Sequence, residues 1–270
     1  MEDILSKFRI NGAVTIVTGG GSGIGRAISK YCAMAGAQVI IADNEEVTGE
    51  KVAWEINACG GNSLSFSTDV TNSEQVSRLV EYTINRFGRI DILVNNVGGA
   101  GQLVPMVNIS DEEWNKYIVI NLTSVFIVSK AVGRIMIDQN KGNIINISSI
   151  AGTRAVPGLS CYAAAKAGVI NFTKSVSIEL ARYNIRVNCI IPGAIDTGFG
   201  VSLRGTAEER AKRAGIPLGR TGNPEDVALA AIYLASDASS YITGSCIEVR
   251  GGPLTRMGDL DMFIERFPNL

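Results

Sequence analysis

Thr18-Gly19-Gly20-Gly21-Ser22-Gly23-Ile24-Gly25 follows a β-branched apolar run at 13–18 and opens an amphipathic stretch at 23–35. Glycines between a strand and a helix permit a tight turn. They also let the backbone approach a pyrophosphate, whose charge then sits at the positive end of the helix. The spacing is G-x-x-x-G-x-G rather than the commoner G-x-G-x-x-G. A glycine-rich loop alone also serves ordinary turns, so the strand–turn–helix context carries the reading. Gly19, Gly21, Ser22, Gly23 and Ile24 are the candidate phosphate and nicotinamide contacts. Asp43 ends the next strand, 18 residues beyond Gly25. A carboxylate there accepts hydrogen bonds from the adenosine ribose hydroxyls and repels a 2′-phosphate. Asn44 follows it and Ser22 occupies the loop, with no arginine at either place. The expected cofactor is therefore NAD; the structural alternative for Asp43 is a cap on the helix at 45–59.

Outward from this turn, short β-branched runs alternate with longer amphipathic stretches. Strands are expected near 13–18, 38–43, 63–68, 90–95, 142–148, 185–191 and 245–249. Helices are expected near 23–35, 45–59, 72–87, 111–138, 161–183, 206–214 and 224–235. Runs such as Ile90-Asp91-Ile92-Leu93-Val94 and Asn143-Ile144-Ile145-Asn146-Ile147 are nearly continuous in apolar residues. That pattern suits parallel strands covered on both faces. Regular alternation implies a doubly wound α/β fold of the Rossmann type, with a seven-stranded parallel sheet and helices on both faces. No linker or repeat divides the chain, so 1–270 reads as one domain. Two segments break the rhythm. Region 194–223 follows Pro192-Gly193 and holds one short helix with a Thr206/Glu209 capping box; a loop-rich insertion after a strand is where a lid over a crevice would sit. The tail at 253–270 carries Leu260, Phe263, Ile264 and Phe267 at helical spacing, which predicts an amphipathic helix packed on the fold or across a subunit boundary.

Composition bounds the function. The 270 residues are 46% hydrophobic and 19% charged, enough for a large core. Twenty-five basic against 26 acidic residues leave a net charge of −1, which argues against a nucleic-acid surface or a polybasic membrane anchor. The start, Met1-Glu2-Asp3-Ile4-Leu5-Ser6-Lys7, lacks the pattern of a secretory signal, and no apolar run reads as long enough to span a bilayer. The five cysteines, Cys32, Cys59, Cys161, Cys189 and Cys246, are scattered and odd in number, consistent with reduced thiols in a cytoplasmic protein. With no histidine anywhere, a Cys/His zinc cluster is impossible, and no metal site is expected.

The absence of histidine also narrows the choice of proton carrier. Tyr162 and Lys166 lie four residues apart, one helical turn, which puts phenol and ammonium on one face. A tyrosine has a pKa of about 10. A cation beside its oxygen favours phenolate; reaching about 7 takes roughly 4 kcal/mol at about 1.4 kcal/mol per unit.

With these residues in place, the sequence resembles the short-chain dehydrogenase/reductase family over nearly its whole length. Thr18 to Gly25 is similar to the family's cofactor loop, and Asp69-Val70 to its adenine-contacting pair. Asn95-Asn96-Val97-Gly98 is similar to the family's Asn-Asn-Ala-Gly, with valine for alanine. Asn121 resembles the family asparagine, Ser149 precedes Tyr162 by the usual 13 residues, and Pro192-Gly193 with Ile195 and Thr197 resembles the segment that binds the nicotinamide carboxamide. Ser148 competes with Ser149 as the catalytic hydroxyl. The resemblance implies hydride transfer between nicotinamide and a secondary alcohol or ketone. Tyr162 would act as general acid/base and Ser149 would orient the substrate oxygen. Lys166 would lower the Tyr162 pKa and bind the ribose, while Asn121 held Lys166 and a relay water. Asn96 and Gly98 would complete the cofactor wall. The family analogy also implies a homotetramer through the helices 111–138 and 161–183.

The expected substrate pocket is lined by 99–107, 150–161 and 194–222. Gly98-Gly99-Ala100-Gly101 resembles hydroxysteroid dehydrogenases, while Tyr162–Gly168 and 223–249 resemble 3-oxoacyl-carrier reductases, which usually prefer NADPH. An NADPH-dependent 3-oxoacyl thioester reductase and a non-catalytic dinucleotide-binding partner subunit are therefore the alternatives. Arg154 is the better candidate to meet an anionic substrate tail; the lid's Arg204, Arg210, Lys212, Arg213 and Arg220 against Asp196, Glu208 and Glu209 could do so too but read first as a solvated face.

Overall fold

The computed structural model describes residues 4–197 and 206–253. The amphipathic tail expected after 253 and the middle of the expected lid lie outside the described residues.

Seven strands form one parallel sheet: β1 (Val14–Thr18), β2 (Gln38–Asp43), β3 (Asn62–Ser67), β4 (Ile92–Asn95), β5 (Gly142–Ile147), β6 (Ile185–Pro192) and β7 (Cys246–Val249). Their order is β3-β2-β1-β4-β5-β6-β7. β1 pairs with both β2 and β4, so the chain reverses its winding direction between β1 and β4. A crevice opens at such a reversal, beyond the carboxyl ends of the strands.

Among the described residues eight α-helices connect the strands: α1 (Gly23–Met34), α2 (Glu46–Ala58), α3 (Ser73–Phe87), α4 (Asp111–Ile118), α5 (Ser124–Gln139), α6 (Ser160–Leu180), α7 (Ala207–Ala214) and α8 (Pro224–Ala235). Successive strand residues alternate between two cores. On one face Val17, Ile41, Val94 and Ile145 pack with Ile28 of α1, Val52 of α2 and Val227 of α8. On the other, Ile16, Ile40, Leu93 and Ile144 pack with Leu79 of α3 and Val132 of α5. This double burial is why the strands read as unbroken apolar runs.

The ends of the helices follow their sequence. Asn72 accepts hydrogen bonds from Glu74 N and Gln75 N at the start of α3, and Gly88 closes it at φ 73°. Thr206 and Glu209 form the expected capping box on α7.

Two expectations need correction. The helix expected over 111–138 is interrupted by a π turn at Val119–Thr123, between α4 and α5. In addition, the continuous helical segment Asp111–Gln139 is, by length and composition alone, long and apolar enough to cross a membrane. Part of its apolar surface packs into the core, where Val125, Val128, Val132 and Met136 are buried.

Candidate active site

The glycine turn sits at the winding reversal. Gly19 and Gly23 hold positive φ, at 62° and 49°, a conformation that costs a residue with a Cβ. A Cβ on Gly25 would collide with the Gly19 carbonyl. Asn96 braces the turn from β4: its Nδ2 donates to Thr18 O at 3.0 Å and Gly19 O at 3.2 Å, while its own N donates to Thr18 Oγ1 at 2.9 Å. Ser22, the N-cap of α1, makes no side-chain cap bond and is exposed, so the first amides of α1 face the crevice without a side-chain partner from the cap.

Asp43 does not cap α2, whose N-cap is Glu45. Its Oδ2 accepts from Gly21 N at 2.9 Å and its Oδ1 from Glu45 N at 3.0 Å. The carboxylate thus ties the end of β2 to the loop, and each oxygen keeps a second lone pair for a ribose hydroxyl. Asp69 turns the chain into α3, accepting from Thr71 N and Oγ1 at 2.9 and 2.7 Å. Val70 is buried among the core residues of β1 and β2, which leaves Asp69 the more accessible of that pair. Thr197 approaches the loop: a Cβ on Gly23 would lie 3.3 Å from the Thr197 Cβ. Ile195 bridges to Gly222, which joins this segment to the start of α8. A shallow cradle of backbone, a helix amino terminus and a carboxylate at the β2 end together fit a dinucleotide.

Ser149, Tyr162, Lys166 and Asn121 gather at the carboxyl end of β5, beside this cradle. Ser149 follows β5 and accepts from Ala151 N at 3.2 Å. Its hydroxyl also acts on the Tyr162 phenol, favouring phenolate. Ser148 is buried, and its Oγ donates to Lys166 O at 2.8 Å. The two serines therefore divide the work: Ser148 fastens α6 to β5, and Ser149 faces Tyr162.

Lys166 Nζ lies 5.8 Å from the centre of the Tyr162 ring, on the same face of α6. It donates to Ile147 O at 3.0 Å. Asn121 does not bond Lys166 directly: its Oδ1 accepts from Gly99 N at 3.0 Å, and its Nδ2 donates to Gly99 O at 3.2 Å and Tyr117 O at 3.1 Å. Gly98 separates the two; a Cβ there would lie 2.5 Å from Asn121 Oδ1 and 2.9 Å from Lys166 Nζ.

The electrostatics differ from the sequence expectation. Burial pushes the Tyr162 phenol above its ordinary value, and the Ser149 hydroxyl only partly opposes this. Burial also pulls Lys166 down to about 8, with the neighbouring Cys189 working in the opposite direction. Desolvation disfavours both phenolate and ammonium. By itself, then, the chain holds Tyr162 as a neutral acid rather than a base poised near pH 7.

A small concavity beside Tyr162 is lined by Ala100, Val104, Glu113, Tyr117, Leu159 and Cys161. Cys161 is buried there. Among the lid cations, Arg210 pairs with Asp196, and Arg220 with Asp226 at 2.8 and 3.0 Å, so these two are committed to carboxylates. Arg154 is exposed. A much larger concavity of about 930 Å³ lies at the opposite end of the sheet, among Arg9, Arg89, Asp91 and Arg186. Its arginines already serve Asp91 and the Leu234 and Ile242 carbonyls, and it is remote from Tyr162.

One buried polar network went unread in the sequence. Asn95 Nδ2 donates to Ser129 Oγ and Asn146 Oδ1, at 2.9 and 2.8 Å, and Asn146 Nδ2 donates to Thr173 Oγ1 at 2.9 Å. It joins β4 and β5 to the helices that carry Asn121 and Tyr162. The signal available was asparagine recurring inside otherwise apolar strands.

This combination of winding, glycine loop and Ser–Tyr–Lys cluster defines an α/β dinucleotide-binding oxidoreductase, and the chain belongs to the short-chain dehydrogenase/reductase family, as an enzyme of that oxidoreductase family. The matching family model, described as enoyl-(acyl carrier protein) reductase, covers residues 19–253. The chain is 44% identical over 238 residues to 3-oxoacyl-(acyl-carrier-protein) reductase FabG of Chlamydia muridarum, covering 88% of this chain and 95% of that protein. It is 41% identical over 244 residues to FabG of Thermotoga maritima, covering 90% and 98%. Among solved structures, 7α-hydroxysteroid dehydrogenase complexed with NADH and 7-oxo glycochenodeoxycholic acid superposes with a TM-score of 0.89 at 32% identity, over 95% of this chain and all of that one (100%).

Proposed function

We propose that this enzyme interconverts a secondary alcohol and a ketone with NAD(H), using Tyr162 as the general acid/base. The observation that carries the reading is Lys166 Nζ over the Tyr162 ring at 5.8 Å, with Ser149 acting on the same phenol, next to the glycine turn. Gly19, Gly21, Ser22, Gly23 and Ile24 would hold the pyrophosphate, and Asp43 the adenosine ribose. Asp69 and Val70 would flank adenine. Asn96 and Gly98 would wall the nicotinamide ribose, with Ile195 and Thr197 over the carboxamide. When bound, the nicotinamide supplies the hydride acceptor or donor.

The chain's own groups do the rest. Ser149 donates to the substrate oxygen and fixes its place beside the phenol. Tyr162, kept neutral by burial, gives its proton to the oxygen of a ketone; in the reverse direction it must first ionise. Lys166 lies within reach of the ribose and of the phenol. Asn121 positions Gly98 and Gly99 around Lys166, which supports the proposed proton path outward. Phe126 of α5 and Ile178 of α6 are 47% and 80% exposed, which favours a homotetramer built on those helices. Five free thiols suit a cytoplasmic setting.

Asp43 favours NAD, and the structural relative's NADH complex is in keeping with that. The second reading, an NADPH-dependent 3-oxoacyl thioester reductase, draws on the FabG relatives. One experiment divides them: oxidation of steroids, polyols and 3-hydroxyacyl thioesters, each assayed with NAD and with NADP. Turnover of thioesters with NADP alone would displace the first reading. Tyr162→Phe should keep NAD binding and lose turnover; substantial residual turnover would refute the role of Tyr162.

A further inference from the structure

Two cysteines stand opposite each other on the last pair of strands. Cys189 of β6 and Cys246 of β7 are Cα partners in the parallel register. Their side chains therefore leave the same face of the sheet, and both join the small apolar cluster around Val125 and Val169. Neighbouring strands run about 4.8 Å apart, inside the Cα window of roughly 4.4–6.8 Å that a disulfide needs. Both thiols are free, and the Cys189 Sγ donates to Ile190 O at 3.5 Å.

The two thiols are unequal. Cys189 is fully buried, while Cys246 is partly open to solvent. The neighbouring Cys189 thiol and the Lys174 ammonium draw Cys246 down to about 7, against burial and the Glu248 carboxylate. The neighbouring Cys246 thiol and burial push Cys189 up. A thiolate reacts on the open side and a protonated thiol waits beneath it.

We propose that Cys189 and Cys246 form an oxidative modification site that a hydroperoxide closes into a reversible disulfide across β6 and β7. The Cys246 thiolate attacks the peroxide, the O–O bond breaks, and an alcohol (water, from hydrogen peroxide) leaves, giving a sulfenic acid. Cys189 sulfur then attacks that sulfur. The S–O bond breaks, and hydroxide departs with the Cys189 proton as water. Two thiols lose two electrons and one hydroperoxide gains them. A dithiol reverses the bond by exchange.

Because Cys189 lies within electrostatic reach of Lys166, the test is read by mass rather than turnover. The reduced full-length protein is treated with hydrogen peroxide, alkylated in denaturant and digested with trypsin. Before alkylation the expected product is about 2 Da lighter than the reduced chain, the mass of two hydrogens. It yields peptides 187–204 and 221–250 joined through Cys189 and Cys246. Dithiothreitol separates them, and Cys246→Ser abolishes the link. Full alkylation of both cysteines after peroxide would overturn the proposal. So would Cys246 sulfinic acid beside an alkylated Cys189, or a bond joining Cys246 of two chains.

Discussion

At the scale of single residues, the Tyr162–Lys166 interval foretold a shared face, and the cation lies over the phenol ring as that interval requires. Spacing carries no information about desolvation, and desolvation sets the sign here. With Tyr162 held above its ordinary value, its phenolate in the free protein should appear only beyond the normal tyrosine range. A tyrosinate absorbance titration of the wild type against Tyr162→Phe reads this directly. Ser149 favours the phenolate, so Ser149→Ala should move the pH profile of alcohol oxidation to still higher pH as well as slow it about 10²-fold or more. An unchanged profile would remove Ser149 from the phenol's side. Lys166 gives a second titration. Its folded value is about 8 against an ordinary value of 10.5, so between those limits the unfolded chain binds more protons and stability rises with pH. The cost of burying the ammonium is complete below about pH 8 and gone above about 10.5. Relative to Lys166→Met, the wild type should gain about 3 kcal/mol between pH 7 and 10.5, at about 1.4 kcal/mol per unit. Denaturant unfolding at several pH values measures the difference. Ser148 and Ser149 likewise became distinguishable only through their partners, Lys166 O and Tyr162, since both stand at one strand end in the sequence.

At the scale of elements, the helix over 111–138 was legible in extent and not in its interior. A hydrophobic period cannot register one widened turn, because the residues on either side stay on the core face. The π turn at Val119–Thr123 brings Asn121 inward, where it is buried and bonded to Tyr117 O and to both backbone groups of Gly99. Such turns recur at functional sites. Asn121→Ala removes three hydrogen bonds and leaves the Gly99 amide without this partner. The expected loss is about 2–3 kcal/mol of stability, taking about 1 kcal/mol per bond, with a fall in turnover larger than stability alone explains. Equal turnover per folded molecule would mark the turn as purely structural. Gly98→Ala tests the same junction from the loop side. Its Cβ would press on Asn121 Oδ1 and Lys166 Nζ at a positive φ, so turnover and melting temperature should fall together. The glycine loop, by contrast, was readable in full, because its glycines are required by local backbone geometry and by the close approach of Asn96.

At the scale of the whole molecule, strand–helix alternation made a parallel sheet with two covered faces readable. The strand order was not, since nothing in a strand's own composition says whether its neighbour is the next strand or the one beyond. The winding reversal between β1 and β4 is what sets Asp43, the glycine turn and the β5 cluster around one crevice. The described surface also leaves Phe126 and Ile178 projecting from α5 and α6. Apolar area of this kind yields about 25 cal/mol per Å² when it leaves water, and symmetry repeats the gain at every copy of the interface. If the proposed tetramer is built there, Phe126→Glu together with Ile178→Glu places carboxylates against one another at the contact. Light scattering should then report a mass below four chains. Because both positions are exposed in the single chain, each substitution should shift subunit stability by no more than about 0.5 kcal/mol, so the dissociated form should keep native circular dichroism. A variant that remains tetrameric would move the interface away from these two helices, and a monomeric wild type would dismiss the assembly altogether.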